Sequence, residues 1–112
     1  MTSIVRLGLA LVGIVVALAA LAACSPLTAL NALARTDTYR PTLDVAYGAL
    51  ARRRLDVYTP KVLAPPEGWP VVVFFYGGTW VSGERADYRF MGEALAERGI
   101  LTVVADYRLY PE

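Results

Sequence analysis

Histidine is missing from all 112 residues, and cysteine occurs once, as Cys24. Without an imidazole, Ser-His and Cys-His catalysis, His-based metal sites and imidazole proton shuttles cannot be built from this chain alone. A single cysteine excludes an internal disulfide, so stability must come from packing. The serines are Ser3, Ser25 and Ser82. None sits in a G-x-S-x-G nucleophile turn; Val81-Ser82-Gly83-Glu84 comes nearest, in a loop with no base to activate the hydroxyl. Charge is absent from Leu7 to Ala34. Residues 35–112 carry all ten acids and ten of the eleven bases, so the formal net charge of +1 resides in Arg6. Nucleic-acid binding by bulk charge needs clustered Lys and Arg, and no such cluster dominates here. What remains is apolar: 56% hydrophobic residues exclude a disordered tail and suffice for about one small domain.

The apolar residues are unevenly placed. Arg6 precedes an uncharged run from Leu7 to Leu18, followed by the small residues Ala19 to Ala23, the layout of a secretory signal. A helix over Leu7 to Ala23 would be about 25 Å long, short of a bilayer core of about 30 Å. An uncleaved transmembrane anchor is the alternative to a signal. Leu21-Ala22-Ala23-Cys24 resembles the lipobox of bacterial lipoproteins, in which the thiol is acylated and becomes the new N-terminus. The other reading of a lone cysteine is a small buried hydrophobe. The expected organisation is a lipoprotein signal peptide over 1–23, a tether over 24–42 with a short helix at 27–34, and a domain over 43–112. The resemblance implies a bacterial envelope protein anchored to membrane lipid through Cys24.

In the domain, Val45-Ala46-Tyr47 and Leu55-Asp56-Val57-Tyr58 read as an antiparallel strand pair. Arg52-Arg53-Arg54 between them is read as solvated charge rather than a headgroup patch. Pro60, Pro65, Pro66, Gly68 and Pro70 mark a loop. Val71-Val72-Val73-Phe74-Phe75 has no alternation, which predicts a strand covered on both faces in a parallel sheet. Asp87 is expected to cap a helix from Tyr88 to about Arg98, with Gly99 ending it and Gly92 weakening it. Ile100 to Ala105 is the next strand. Val71 to Ala105 therefore predicts a right-handed strand, helix, strand unit, and the fold class is α/β. One helix cannot cover both faces of such a sheet, so the chain is expected to be the N-terminal portion of a longer α/β protein or to have the remainder supplied by a partner.

Tyr76-Gly77-Gly78-Thr79-Trp80 and Asp106-Tyr107-Arg108-Leu109-Tyr110-Pro111-Glu112 together resemble the α/β-hydrolase esterases and lipases, in the hormone-sensitive-lipase-like and feruloyl-esterase-like branch. The first is similar to that family's H-G-G-x-W loop and the second to its D-Y-R-L-x-P-E segment. The resemblance covers about Val45 to Glu112. It implies that Gly77, Gly78 and Thr79 form an oxyanion loop, in which Gly77 allows the turn and the Gly78 and Thr79 amides, with a third from the residue after the nucleophile, stabilise the charge that gathers on a carbonyl oxygen under attack. Removing one such donor typically costs about 3 to 4 kcal/mol in the barrier. The Gly pair alone would also fit a plain strand-to-helix turn. Tyr76 departs from the family's usual His, and it and Trp80 are the expected substrate-pocket residues, although Trp80 also suits plain core. Asp106, Arg108 and Glu112 are expected to form a supporting ion-pair network.

The implied activity is carboxylic-ester hydrolysis on a small ester, with no cofactor and no metal. The nucleophile, acid and histidine are expected beyond residue 112, leaving this chain inactive by itself. Two alternatives stay open: a non-catalytic lipoprotein or degenerate fragment acting as a binding module, and a formamidase-like amidase, since amides use the same oxyanion chemistry.

Overall fold

The computed structural model describes residues 2–23 and 25–112; Cys24, the expected lipidation site, lies outside them. Helix α1 spans Thr2–Ala23, and its Ser3–Ala20 stretch is long and apolar enough to cross a membrane. At about 1.5 Å per residue it is ~33 Å long, more than the uncharged run predicted, because the helix starts at Thr2 and takes in Arg6. Helix α2, Pro26–Leu33, begins as its sequence dictates: the Ser25 hydroxyl accepts from the Thr28 amide at 3.2 Å, and proline occupies the first turn.

Four strands follow, β1 (Tyr39–Ala46), β2 (Arg54–Pro60), β3 (Val71–Phe74) and β4 (Leu101–Ala105), with helix α3 (Arg89–Ala96) between the last two. They form one sheet in the order β1-β2-β4-β3. β1 runs antiparallel to β2, β2 antiparallel to β4, and β3 parallel to β4. The predicted antiparallel pair and the strand, helix, strand unit are both present. β1 starts at Tyr39, inside the segment read as tether, and is an edge strand, which tolerates Pro41. Its pairing with β2 shifts between Thr42 and Val45, where Asp44 takes a φ of 61° and its amide donates to Asp56 Oδ1 at 2.8 Å.

Side chains alternate across a sheet, so the register decides what each face shows. Tyr58, Thr102 and Val104 are buried on the face that α3 covers, where Tyr39, Tyr76 and Ala96 complete the core. Val73 lies opposite Val103, and Val103 opposite Val57, on the other face. There Val71 and Val73 are exposed, and Phe75 beyond the strand is 62% exposed. The prediction that the Val71–Phe75 run is covered on both faces fails among the described residues, because β3 is an edge strand with α3 on one side only.

Helix α3 is shorter than predicted and capped differently. A 3₁₀ turn, Arg85–Tyr88, precedes it, and the Asp87 side chain caps neither element. Instead Asn31 of α2 reaches across. Its Oδ1 accepts from the Phe90 amide at 3.0 Å, and its Nδ2 donates to the carbonyls of Asp87 at 2.9 Å and Ala86 at 3.1 Å. Gly99, with a φ of 75°, ends the helix as expected; its amide donates to Ala96, and that of Ile100 to Leu95.

Candidate active site

β3 and β4 are parallel, so their carboxyl ends lie side by side, and the two motif segments leave the sheet there together. Between them lies an open cleft of about 750 Å³, lined by Tyr76 and Trp80 from the first segment and Tyr107, Arg108, Tyr110 and Glu112 from the second. Trp80 is 70% exposed, standing in the cleft wall rather than in the core. Clefts at this end of a doubly wound sheet are the usual ligand sites of α/β proteins.

The loop after β3 is wound tightly. Gly78 has a φ of 144°, and the next two residues, Thr79 and Trp80, also have positive φ, 53° and 60°. For a β-branched residue such as Thr79 that conformation costs roughly 1–3 kcal/mol. Local bonds offset it. The Gly78 carbonyl accepts from the amides of Val81 at 3.0 Å and Ser82 at 3.2 Å and from Thr79 Oγ1 at 2.7 Å. The Trp80 carbonyl accepts from the Tyr110 amide at 2.6 Å, tying the two segments together. Because a trans peptide places C=O and N–H on opposite sides, pinning the Gly78 carbonyl inward turns the Thr79 amide outward. Among the described residues, the backbone amides of Gly77, Gly78 and Thr79 have no acceptor. Three free donors in one short loop, at the carboxyl end of the sheet, can serve an anionic oxygen.

Glycine is required at one of the pair and not at the other. A Cβ on Gly78 would lie 2.1 Å from the Ser82 carbonyl oxygen, whereas a Cβ on Gly77 meets nothing within 4 Å. Ser82 is exposed, with its Oγ 3.4 Å from the Gly78 carbonyl, and no base accompanies it. No group of His, Cys, Asp or Glu among the described residues could hold a metal ion.

Asp106 is 4% exposed, and its partners differ from those predicted. Arg108 and Glu112 are exposed and make no side-chain bond to it among the described residues. Past Ala105 the chain leaves the sheet, and both side chains fall at the cleft rim. Asp106 instead accepts from the Tyr76 hydroxyl, from the Arg85 amide at 2.8 Å and from the Arg85 guanidinium. Arg85 also binds Asp56 at 2.9 Å and Asp44 at 2.6 Å. Burial alone would raise the Asp106 carboxyl, but the hydrogen bonds from Tyr76 and Arg85 outweigh it and hold it below the usual carboxylate range. The Tyr76 hydroxyl is pushed up, first by burial and then by its bond to Asp106. Tyr76 itself is 3% exposed and stacks on Tyr88, ring centroids 5.2 Å apart.

Sequence reasoning missed Arg52 and Arg85. Arg52 sits in a run of three arginines with nothing to single it out. In the fold its Nε donates to the Tyr107 carbonyl at 2.9 Å, and its Nη2 to the Tyr76 hydroxyl and the Gly83 carbonyl, both at 2.8 Å.

Comparisons with known proteins bear on the family and the fold. The model of the carboxylesterase family matches residues 54–111. Over 69 residues the chain is 42% identical to the isoprenylcysteine alpha-carbonyl methylesterase of Arabidopsis thaliana, covering 61% of this chain and 16% of that protein. Over 70 residues it is 31% identical to kynurenine formamidase of Danio rerio, covering 62% of this chain and 23% of that protein. Among solved structures, an inhibited esterase B from Lactobacillus rhamnosis superposes with a TM-score of 0.65 at 26% identity, covering 90% of this chain and 33% of that one. The chain thus spans about a third or less of the proteins it resembles.

Proposed function

The chain belongs to the carboxylesterase family, and on that premise we propose that it supplies the oxyanion-stabilising part of a carboxylic-ester hydrolase. The observation that carries this reading is that the amides of Gly77, Gly78 and Thr79 have no acceptor among the described residues, the Thr79 amide being turned away from the bonded Gly78 carbonyl of its own peptide. An ester carbonyl placed in the cleft would present its oxygen to those donors as the carbon becomes tetrahedral, and the fixed dipoles would stabilise the charge without reorganising. Tyr76 and Trp80 would line the acyl or alcohol side. On this reading the nucleophile, acid and histidine are supplied from outside these 112 residues, which contain no histidine.

We place the enzyme in a bacterial cell envelope, with α1 as its export signal and Cys24 as the lipid anchor. A C24A variant is then expected to accumulate as unprocessed precursor and to stop incorporating labelled palmitate; unchanged labelling rejects the anchor.

Activity is tested on p-nitrophenyl butyrate with the complete gene product. G78A keeps its amide, but the new methyl would collide with the Ser82 carbonyl and displace the loop, so kcat should fall toward the roughly 100- to 1000-fold loss that follows removal of an oxyanion donor. Residues 1–112 alone should show no turnover that S82A removes. Serine-dependent turnover by that chain, or full activity in G78A, contradicts the assignment, and absence of hydrolysis by the complete product favours a binding module instead. The likeness to kynurenine formamidase supports a second reading, amide hydrolysis, which the same loop would serve; assaying an aryl formamide beside the ester separates the two.

A further inference from the structure

Tyr76 has no chemical task in ester hydrolysis, yet no residue of the loop is held by more groups. Its hydroxyl donates to Asp106 and accepts from Arg52 Nη2 at 2.8 Å, while its carbonyl accepts from the Tyr107 hydroxyl at 2.6 Å. Its ring lies between Tyr88 and Tyr107, with centroids at 5.2 and 4.9 Å, and closes over Gly83, where a Cβ would come within 2.7 Å of it. With the carbonyl, hydroxyl and ring all fixed, the peptide leading into Gly77 has one orientation, and planarity carries that direction to the Gly77 amide.

The hydroxyl is where this hold is anchored. A phenol has one proton and can accept in return. Here the proton goes to a buried carboxylate and a guanidinium donates to the oxygen, a charge-assisted chain whose polarity is set at both ends. Arg52 does more than complete it. The same guanidinium binds the carbonyls of Gly83, at the far end of the loop, and of Tyr107, on the segment after β4. One side chain thus spans the two ends of the 76–83 loop and the wall opposite.

We propose that Arg52 and Asp106 are positioning residues for acyl transfer, acting through the Tyr76 hydroxyl to hold the direction in which the Gly77–Thr79 amides point. The proposal rests on the oxyanion reading above. Neither residue needs to touch substrate. A loop whose donors wander by about 1 Å would bind the ground state nearly as well and stabilise the transition state far less, at a cost of up to about 100-fold in rate.

The test compares Y76F, R52A, R52K, R53A and G78A in the complete gene product, with kcat and KM for p-nitrophenyl butyrate and a thermal midpoint for each. Y76F keeps the ring stack and loses both hydroxyl bonds; R52K keeps the charge and loses the fork. Y76F and R52A should lower kcat about 10- to 100-fold with KM within about twofold, R52K should recover part of the loss, and R53A, an exposed neighbour in the same run, should match the parent. A folded Y76F or R52A with parental kcat, while G78A has lost activity, overturns the positioning role and leaves the oxyanion reading intact. Retention of kcat by G78A fells that reading and this proposal with it. Should Y76F fail to fold, R52A against R52K and R53A decides, since a merely structural role would lower the midpoint without splitting kcat from KM.

Discussion

At the scale of single residues, the glycines show how differently one residue type is used. Gly92 in mid-helix reads from sequence as a weakness, since glycine costs up to about 1 kcal/mol there relative to alanine. In the fold it is buried against the face of Tyr58, and a Cβ would stand 2.4 Å from the ring. The missing side chain lets α3 lie down on the sheet. G92A is therefore expected to destabilise the protein by about 1 to 3 kcal/mol despite its better helix propensity, read as a lower denaturation midpoint; an unchanged or raised midpoint would show that Tyr58 can yield. Tyr58 is 2% exposed and meets the Tyr39 ring edge-on with centroids 5.1 Å apart; burial, with the Asp56 charge nearby, pushes its hydroxyl up to about 12. The Gly77–Gly78 pair was legible as a special turn, but which glycine is indispensable was not, because that depends on where Ser82 returns to meet it.

At the scale of elements, α3 has its start set from a distance. Local sequence offers Asp87 as the cap, yet the 3₁₀ turn at Arg85–Tyr88 carries that side chain away from the free amides, and Asn31 supplies the acceptor from α2. Replacing Asn31 by Ala should cost about 1 kcal/mol, the usual worth of a helix cap, while D87A should cost a few tenths at most. Thermal midpoints of the two variants check this directly; the reverse order would mean that α2 contributes nothing to α3. Asn31 thereby fastens α2 to the start of α3, although no residue of α2 is itself buried. β3 makes the opposite point. Its unbroken apolar run predicts cover on both faces, but coverage belongs to neighbours, and among the described residues α3 is the one α-helix that lies on the sheet.

At the scale of the whole molecule, Arg85 pairs with Asp44, Asp56 and Asp106 and so ties β1, β2, the segment just past β4 and the 3₁₀ turn to one another. This sets a pH dependence. Asp106 has its folded pKa below the ordinary value of 3.8, so its contribution to stability is complete above that value and is lost as pH falls through the folded pKa. The thermal midpoint should drop steeply below about pH 4 in the parent protein and more gently in D106N, which has no carboxylate to protonate. Parallel acid limbs for the two proteins would assign the acid sensitivity elsewhere.

Local pattern was enough to establish the α/β class, the order of the elements and the position of the two motif segments, because hydrophobic period, glycine and proline act within a few residues of themselves. The partners of Asp106, the contacts of Arg52 and the cap on α3 were decided only by the tertiary structure. Each is a contact between residues far apart in the chain, such as Arg52 with Tyr107 or Asn31 with Phe90. A charged or polar side chain advertises what it can bond to, but not what the fold will bring within reach.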